Sequence, residues 1–145
     1  MGLIFRLFKK SDLVQAVDVF LSAFQSKEKN WTKSMVEKRL LSLVELNPDL
    51  CFVIELDKKV VGLLFLSKGV WVNGNYLELT EFAVLSDFRG QGIGSEALDF
   101  LNGFAKQNNF SAIYLTTDSR KQALRLYERK GFKKTNYVVM EKEFN

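Results

Sequence analysis

The segment Arg89-Gly90-Gln91-Gly92-Ile93-Gly94 constrains this chain more than any other. It joins an apolar, strand-like run over residues 76–85 to an amphipathic run whose Ile93, Ala97, Leu98, Leu101, Phe104 and Ala105 recur at helical spacing. Three glycines at alternate positions leave backbone N–H groups uncovered, and glycine's access to positive φ lets such a loop curl its amides around an anion. The helix that follows adds free N-terminal N–H groups and a partial positive charge. Arg89 adds forked, permanently charged donors suited to phosphate oxygens. The pattern predicts a phosphate cradle at a strand–loop–helix junction.

The rest of the chain narrows what such a cradle serves. At 145 residues the chain fits one domain, residues 1–145, and 47% apolar residues supply a core. Lys and Arg number 21 against 17 Asp and Glu, so the net charge of +4 suits a small polyanion. The basic residues are scattered, which argues against nucleic acid. The absence of His excludes Ser-His and Cys-His catalysis and argues against a metal site. The single Cys51 precedes Phe52-Val53-Ile54 and reads as a buried small hydrophobe. No apolar run reaches the roughly 20 residues that cross a bilayer. No signal-peptide pattern opens the sequence, so a cytoplasmic location is expected.

Periodicity and turn chemistry predict β-αα-ββ-β-α-β-α-β. Residues 3–8 read as a first strand, and Asp12 with Gln15 has capping-box spacing for a helix carrying Leu13, Val17, Phe20, Leu21 and Phe24. Thr32 is placed to cap a second helix that stops at Asn47-Pro48. Strands follow over residues 51–56, 60–72 and 76–85, with turns at Asp57-Lys58-Lys59 and Asn73-Gly74. A helix over residues 92–106 and a strand over residues 112–116 come next. Ser119 with Gln122 reads as a second capping box, opening a helix closed by Gly131, and a last strand is expected near residues 137–140.

The strand before the loop changes phase. Leu77 and Leu79 alternate on odd positions, Phe82 and Val84 on even ones. Side chains flip faces at every residue, so the switch asks for an extra residue near Thr80-Glu81, a β-bulge. A strand buried on both faces is the alternative, since Ala83 and Leu85 are also apolar. A bulge would bring Glu78 and Glu81 to the same side.

The run from Leu79 to Gly94 closely resembles the acetyl-CoA signature of the Gcn5-related N-acetyltransferases (GNAT). That signature couples an apolar strand ending in Val to an aromatic-Arg-Gly-x-Gly-x-Gly loop. Ala123-Leu124-Arg125-Leu126-Tyr127-Glu128-Arg129-Lys130-Gly131-Phe132 resembles the family's later Ala-x-x-x-Tyr-x-x-x-Gly-Phe element. Tyr137-Val138-Val139-Met140 is similar to its closing strand, and Phe5-Arg6 with Asp12 to its first strand and helix cap. The resemblance implies an α/β (α+β) fold with a mixed, mostly antiparallel sheet of six to seven strands and four flanking helices.

It also implies the chemistry, which is direct transfer of acetyl from acetyl-CoA to a primary amine. The acceptor is an amine-bearing small molecule or a protein amine, without nucleic acid, membrane or metal. Dimers are frequent among members, so a homodimer is open to the chain. By the resemblance, the backbone of Phe82, Ala83 and Val84 pairs with the pantetheine arm. Arg89, Gly90 and the backbone of Gln91, Gly92, Ile93, Gly94 and Ser95 hold the pyrophosphate. Arg120 stands where many members carry Asn, and its backbone or side chain is the expected contact there. Tyr127 is the expected general acid to the leaving thiolate, and Glu78 or Glu81 the base. The acceptor surface is expected over residues 24–32, with Trp31, and over residues 68–75, with Trp71. A domain that binds acyl-CoA without turning it over is the competing reading, and a nucleic-acid-binding domain a more distant one.

Overall fold

A computed structural model describes residues 2–144. Five strands, β1 (Ile4–Leu7), β2 (Cys51–Leu56), β3 (Lys59–Trp71), β4 (Gly74–Val84) and β5 (Ala112–Leu115), form one sheet in chain order. Pairing is antiparallel from β1 to β4 and parallel between β4 and β5. The helices are α1 (Leu13–Phe24), α2 (Lys33–Leu46), α3 (Ile93–Gln107) and α4 (Ala123–Arg129).

The helices divide between the two faces of the sheet. Ala16, Val17, Val19 and Phe20 of α1 and Val36 and Leu40 of α2 pack with Cys51, Val53, Leu63, Phe65 and Ala83. Leu98, Leu101 and Ala105 of α3 and Tyr127 of α4 pack with Phe52, Leu64, Leu66, Leu77 and Leu79. Residues 63 and 65 face one layer and 64 and 66 the other, the period-2 alternation of a strand buried on both sides. Cys51 is core, its thiol pushed up to about 12 by burial, as the apolar run around it predicts.

Local signals that act on adjacent backbone hold. Thr32 Oγ1 accepts from the Met35 N–H at 3.1 Å and starts α2. Gly131, at φ +94°, ends α4 while the Phe132 N–H reaches back to the Tyr127 carbonyl at 3.1 Å.

Four expectations are corrected. Gln15 closes no capping box: its Oε1 accepts from the Val60 N–H of β3 at 2.9 Å. Asp12 accepts from the Lys9 N–H and from both terminal nitrogens of Arg6. At α4 the cap is Gln122, without a side-chain hydrogen bond. The β3–β4 turn is Val72-Asn73, because Trp71 pairs with Gly74. The sheet has five strands rather than six to seven, because residues 137–140 join no ladder and lie exposed.

Candidate active site

The phase change in β4 is a bulge. Phe65 pairs with Glu81 and Leu66 with Leu79, so Thr80 is the extra residue, its Oγ1 donating to the Phe65 carbonyl at 2.9 Å. Leu77, Leu79 and Phe82 therefore all face the α3–α4 layer. Glu78, paired with Ser67, and Glu81, paired with Phe65, share the opposite face. The bulge also ends the contact with β5, whose ladder stops at Leu79–Leu115.

Past that point β4 offers a free edge. The Leu85 N–H donates to the Val61 carbonyl at 2.7 Å. By antiparallel alternation, Ala83 also turns its N–H and C=O into the β3 ladder, while those of Phe82 and Val84 turn away from it. Of the three backbone units predicted to clasp the cofactor, Phe82 and Val84 have the required direction and Ala83 has not. Arg89 Nε sits 3.4 Å from the Val84 carbonyl, which holds the arginine beside this edge.

The loop then turns into α3. Ser86–Phe88 form a single 3-10 turn. Gly90 and Gly92 have φ of +76° and +82°, conformations that side chains other than Gly, Asn and Asp rarely adopt. Gly92 is the cap of α3, and its carbonyl accepts from the Glu96 N–H at 3.0 Å. The N–H groups of the first helical residues, Ile93, Gly94 and Ser95, point out of the helix start. Ile93 buries its side chain against Ile54, Val61 and Ala97, so its backbone alone faces the loop. At Gly94 a Cβ would lie 3.2 Å from Leu126 and 3.7 Å from Phe82. That close approach brings the start of α3, the free edge of β4 and α4 together.

Tyr127 completes the convergence. Its ring lies 6.3 Å from that of Phe82 and 5.8 Å from that of Phe132. Burial alone raises its hydroxyl to about 12, so it is protonated at neutral pH and available as a donor.

The two carboxylates differ. Glu78 is exposed, whereas Glu81 is 7% exposed and its carboxyl is raised above 4.5 by burial, against the lowering effect of Arg39. Arg39 Nε, from α2, donates to Glu81 Oε2 at 2.6 Å. The sequence reading missed Arg39. The only signal available was its place one residue before the buried Leu40, which carries no information about a strand 42 positions away.

Arg120 is engaged by its own loop. It is folded bidentately onto Asp118 at 2.9 and 3.0 Å, 87% exposed, and lowers that carboxyl to about 2. Trp31 packs edge-on against Phe20 at 4.9 Å with its indole N–H buried and unpartnered, and Trp71 lies exposed on the β3–β4 hairpin.

Comparisons with known proteins bear on the fold and the family. Probable N-acetyltransferase camello of Xenopus laevis is 36% identical over 91 residues, covering 61% of this chain and 41% of that protein. The chain thus spans about two fifths of the curated relatives it matches. A GNAT family acetyltransferase of Staphylococcus aureus superposes with a TM-score of 0.74 at 22% identity, covering 99% and 100% of the two chains. The acetyltransferase AAC(6')-Iy, solved with a bisubstrate analogue joining CoA to monomethyl-acetylneamine, superposes with a TM-score of 0.75 at 14% identity over the whole of both chains. These likenesses are of fold. The acetyltransferase (GNAT) family model matches residues 15–132, taking in β2 to β5 and α3 to α4, and on that span the chain belongs to the GNAT family.

Proposed function

We propose that this chain is an acetyl-CoA-dependent N-acetyltransferase that passes acetyl directly to a primary amine. One observation carries the reading. Where β5 leaves β4, the outward backbone of Phe82 and Val84 runs into a positive-φ loop at the start of α3, with Tyr127 alongside. An extended pantetheine arm pairs with that edge as an added strand would. The loop amides, the α3 N-terminus and Arg89 take the pyrophosphate. The same acetyl-CoA signature is present in the sequence, and AAC(6')-Iy was solved with a CoA-linked analogue.

An alkylammonium, with a pKa near 10.4, must lose a proton before it attacks. Glu81 accepts it: the N–H bond breaks, its electron pair stays on nitrogen, and an O–H bond forms. The nitrogen then attacks the thioester carbon, whose oxygen is stabilised by the Val84 N–H. Collapse breaks the C–S bond and expels thiolate. A donor near 12 facing a thiol near 8.5 makes full proton transfer uphill by ~5 kcal/mol. Tyr127 therefore steadies the thiolate by hydrogen bonding, and the second proton of the amine ends on sulfur or in solvent. Glu78, exposed on the same face, is the alternative base through water.

Arg39 against Glu81 favours a second reading, an acyl-CoA-binding module whose base is sealed. Calorimetry with CoA and thiol release from acetyl-CoA separate the two. Thiol release matching acetylated butylamine, lysine or a dipeptide amine supports the enzyme. CoA binding without release from any of them supports the module, and no CoA binding sinks both.

A further inference from the structure

The ion pair between Arg39 and Glu81 joins a part-exposed cation to a buried carboxylate through a single contact. Arg6 grips Asp12 with two terminal nitrogens, each at 2.9 Å, and reaches Glu55 with Nε at 3.1 Å. Arg120 grips Asp118 with two nitrogens as well. Arg39 touches Glu81 through Nε alone, at 2.6 Å. Its side chain is 43% exposed while the carboxylate beneath is 7% exposed, so the cation reaches the buried anion from the solvent side. A one-point contact whose cation keeps much of its surface open to solvent is easier to exchange than a two-point grip.

The carboxylate cannot be left bare. A buried anion without a cation takes up a proton instead, and a protonated Glu81 is no base. Among the described residues, Arg39 is the charged group that acts on this carboxyl. Glu78 lies three positions earlier on the same face, and the β3 residue opposite Glu81 is Phe65. Glu81 immediately precedes Phe82, whose backbone turns away from the β3 ladder.

We propose that Arg39 is a positioning residue that keeps, on Glu81, the seat taken by the acceptor's ammonium group, so that acceptor binding exchanges one cation for another. The proposal rests on the reading of Glu81 as the base and adds how that base is handed from one cation to another. The acceptor arrives protonated, as a compact ammonium able to donate to Oε2. Neutral isosteres are refused because they would strand the carboxylate. Between turnovers Arg39 returns and keeps the carboxyl ionised. Departure of the guanidinium delivers the base to the acceptor with its charge neutralised throughout.

The test uses butylammonium as the probe and the CoA-bound protein. The Arg39 Nε–H signal in 1H–15N spectra should shift saturably with butylammonium chloride and stay fixed with 1-butanol. Arg39→Gln should bind butylammonium at least threefold more tightly at pH 9, the competing cation being gone. The pH at which binding is half lost on acidification should rise by about one unit or more, because the lowering effect of Arg39 on Glu81 is removed. Arg39→Lys should return that midpoint toward wild type. An Arg39 signal unmoved at saturating butylammonium, or equal or weaker binding by Arg39→Gln, overturns the proposal. Should Arg39→Gln not fold, the wild-type signal and Arg39→Lys decide. Thiol release is measured separately: a protein that exchanges cations but releases no thiol with any amine sinks the enzymatic reading alone.

Discussion

At the scale of single residues, burial sets which groups act and how. Tyr127 is pushed to about 12 by its apolar surroundings, Phe82 and Phe132 among them. Such a phenol donates a hydrogen bond readily and a proton reluctantly. Tyr127→Phe should therefore lower kcat by about 10- to 100-fold, at or below the low end of what acid catalysis contributes, and leave the CoA Kd near wild type. Steady-state kinetics with calorimetry checks this, and an unchanged kcat would remove the donor role. Glu81 and Arg39 show what a sequence hides at this scale. The resemblance offered Glu81 and Glu78 as candidates, and the phase of the strand placed both on one side. Arg39 was not legible, because an ion pair across 42 positions leaves no local pattern. Gln15 teaches the same lesson in reverse, since a good local cap signal lost to a distant backbone N–H at Val60.

At the scale of elements, the bulge and the loop are the two devices that shape the candidate site, and both were legible. Leu77 and Leu79 against Phe82 and Val84 required one surplus residue, and Thr80 is that residue. Deleting Thr80 should restore a regular ladder and turn either Glu81 or the Leu77–Leu79 pair to the wrong face. The expected result is loss of acetyl transfer and a lowered Tm, and a deletion variant with wild-type turnover would contradict the assignment. The loop glycines divide by cause. At Gly92 a Cβ would meet nothing within 4 Å, so φ alone demands glycine there. Gly92→Val should strain the backbone by about 1–3 kcal/mol and weaken CoA binding at least tenfold, while Gly92→Asn, tolerant of that conformation, should retain most of it. Calorimetry on the pair distinguishes backbone conformation from simple bulk. The last strand was overread because residues 137–140 have strand composition. A ladder also needs a neighbouring edge in register, and composition does not supply one.

At the scale of the whole molecule, the sheet is tied to its first helix by charge as well as by apolar packing. Arg6 of β1 bonds Asp12 at the start of α1 and Glu55 of β2. Arg6 holds the Asp12 carboxyl below its ordinary 3.8, chiefly by hydrogen bonding against the opposing cost of burial. A carboxyl lowered on folding stabilises the fold above its unfolded value, and that stabilisation is lost as pH falls through the folded one. Asp12→Asn should cost about 2–4 kcal/mol at pH 7, the range for breaking a largely buried charged pair, and should flatten the loss of stability below about pH 4. Denaturant melts across pH check both parts. Fold class and the order of elements up to α4 were legible because they rest on periodicity and two glycine-marked motifs. The point at which the β4–β5 ladder stops, Leu79 against Leu115, was not, because it is a relation between strands. An unpaired edge is what an added strand requires, and the amide spectrum tests its use most directly. On titrating CoA into the labelled protein, the N–H signals of Phe82, Val84 and residues 91–95 should shift together and saturably, with Ala83 N–H, bonded into the β3 ladder, little changed. Saturable binding that leaves those amides still and moves signals elsewhere would contradict the account.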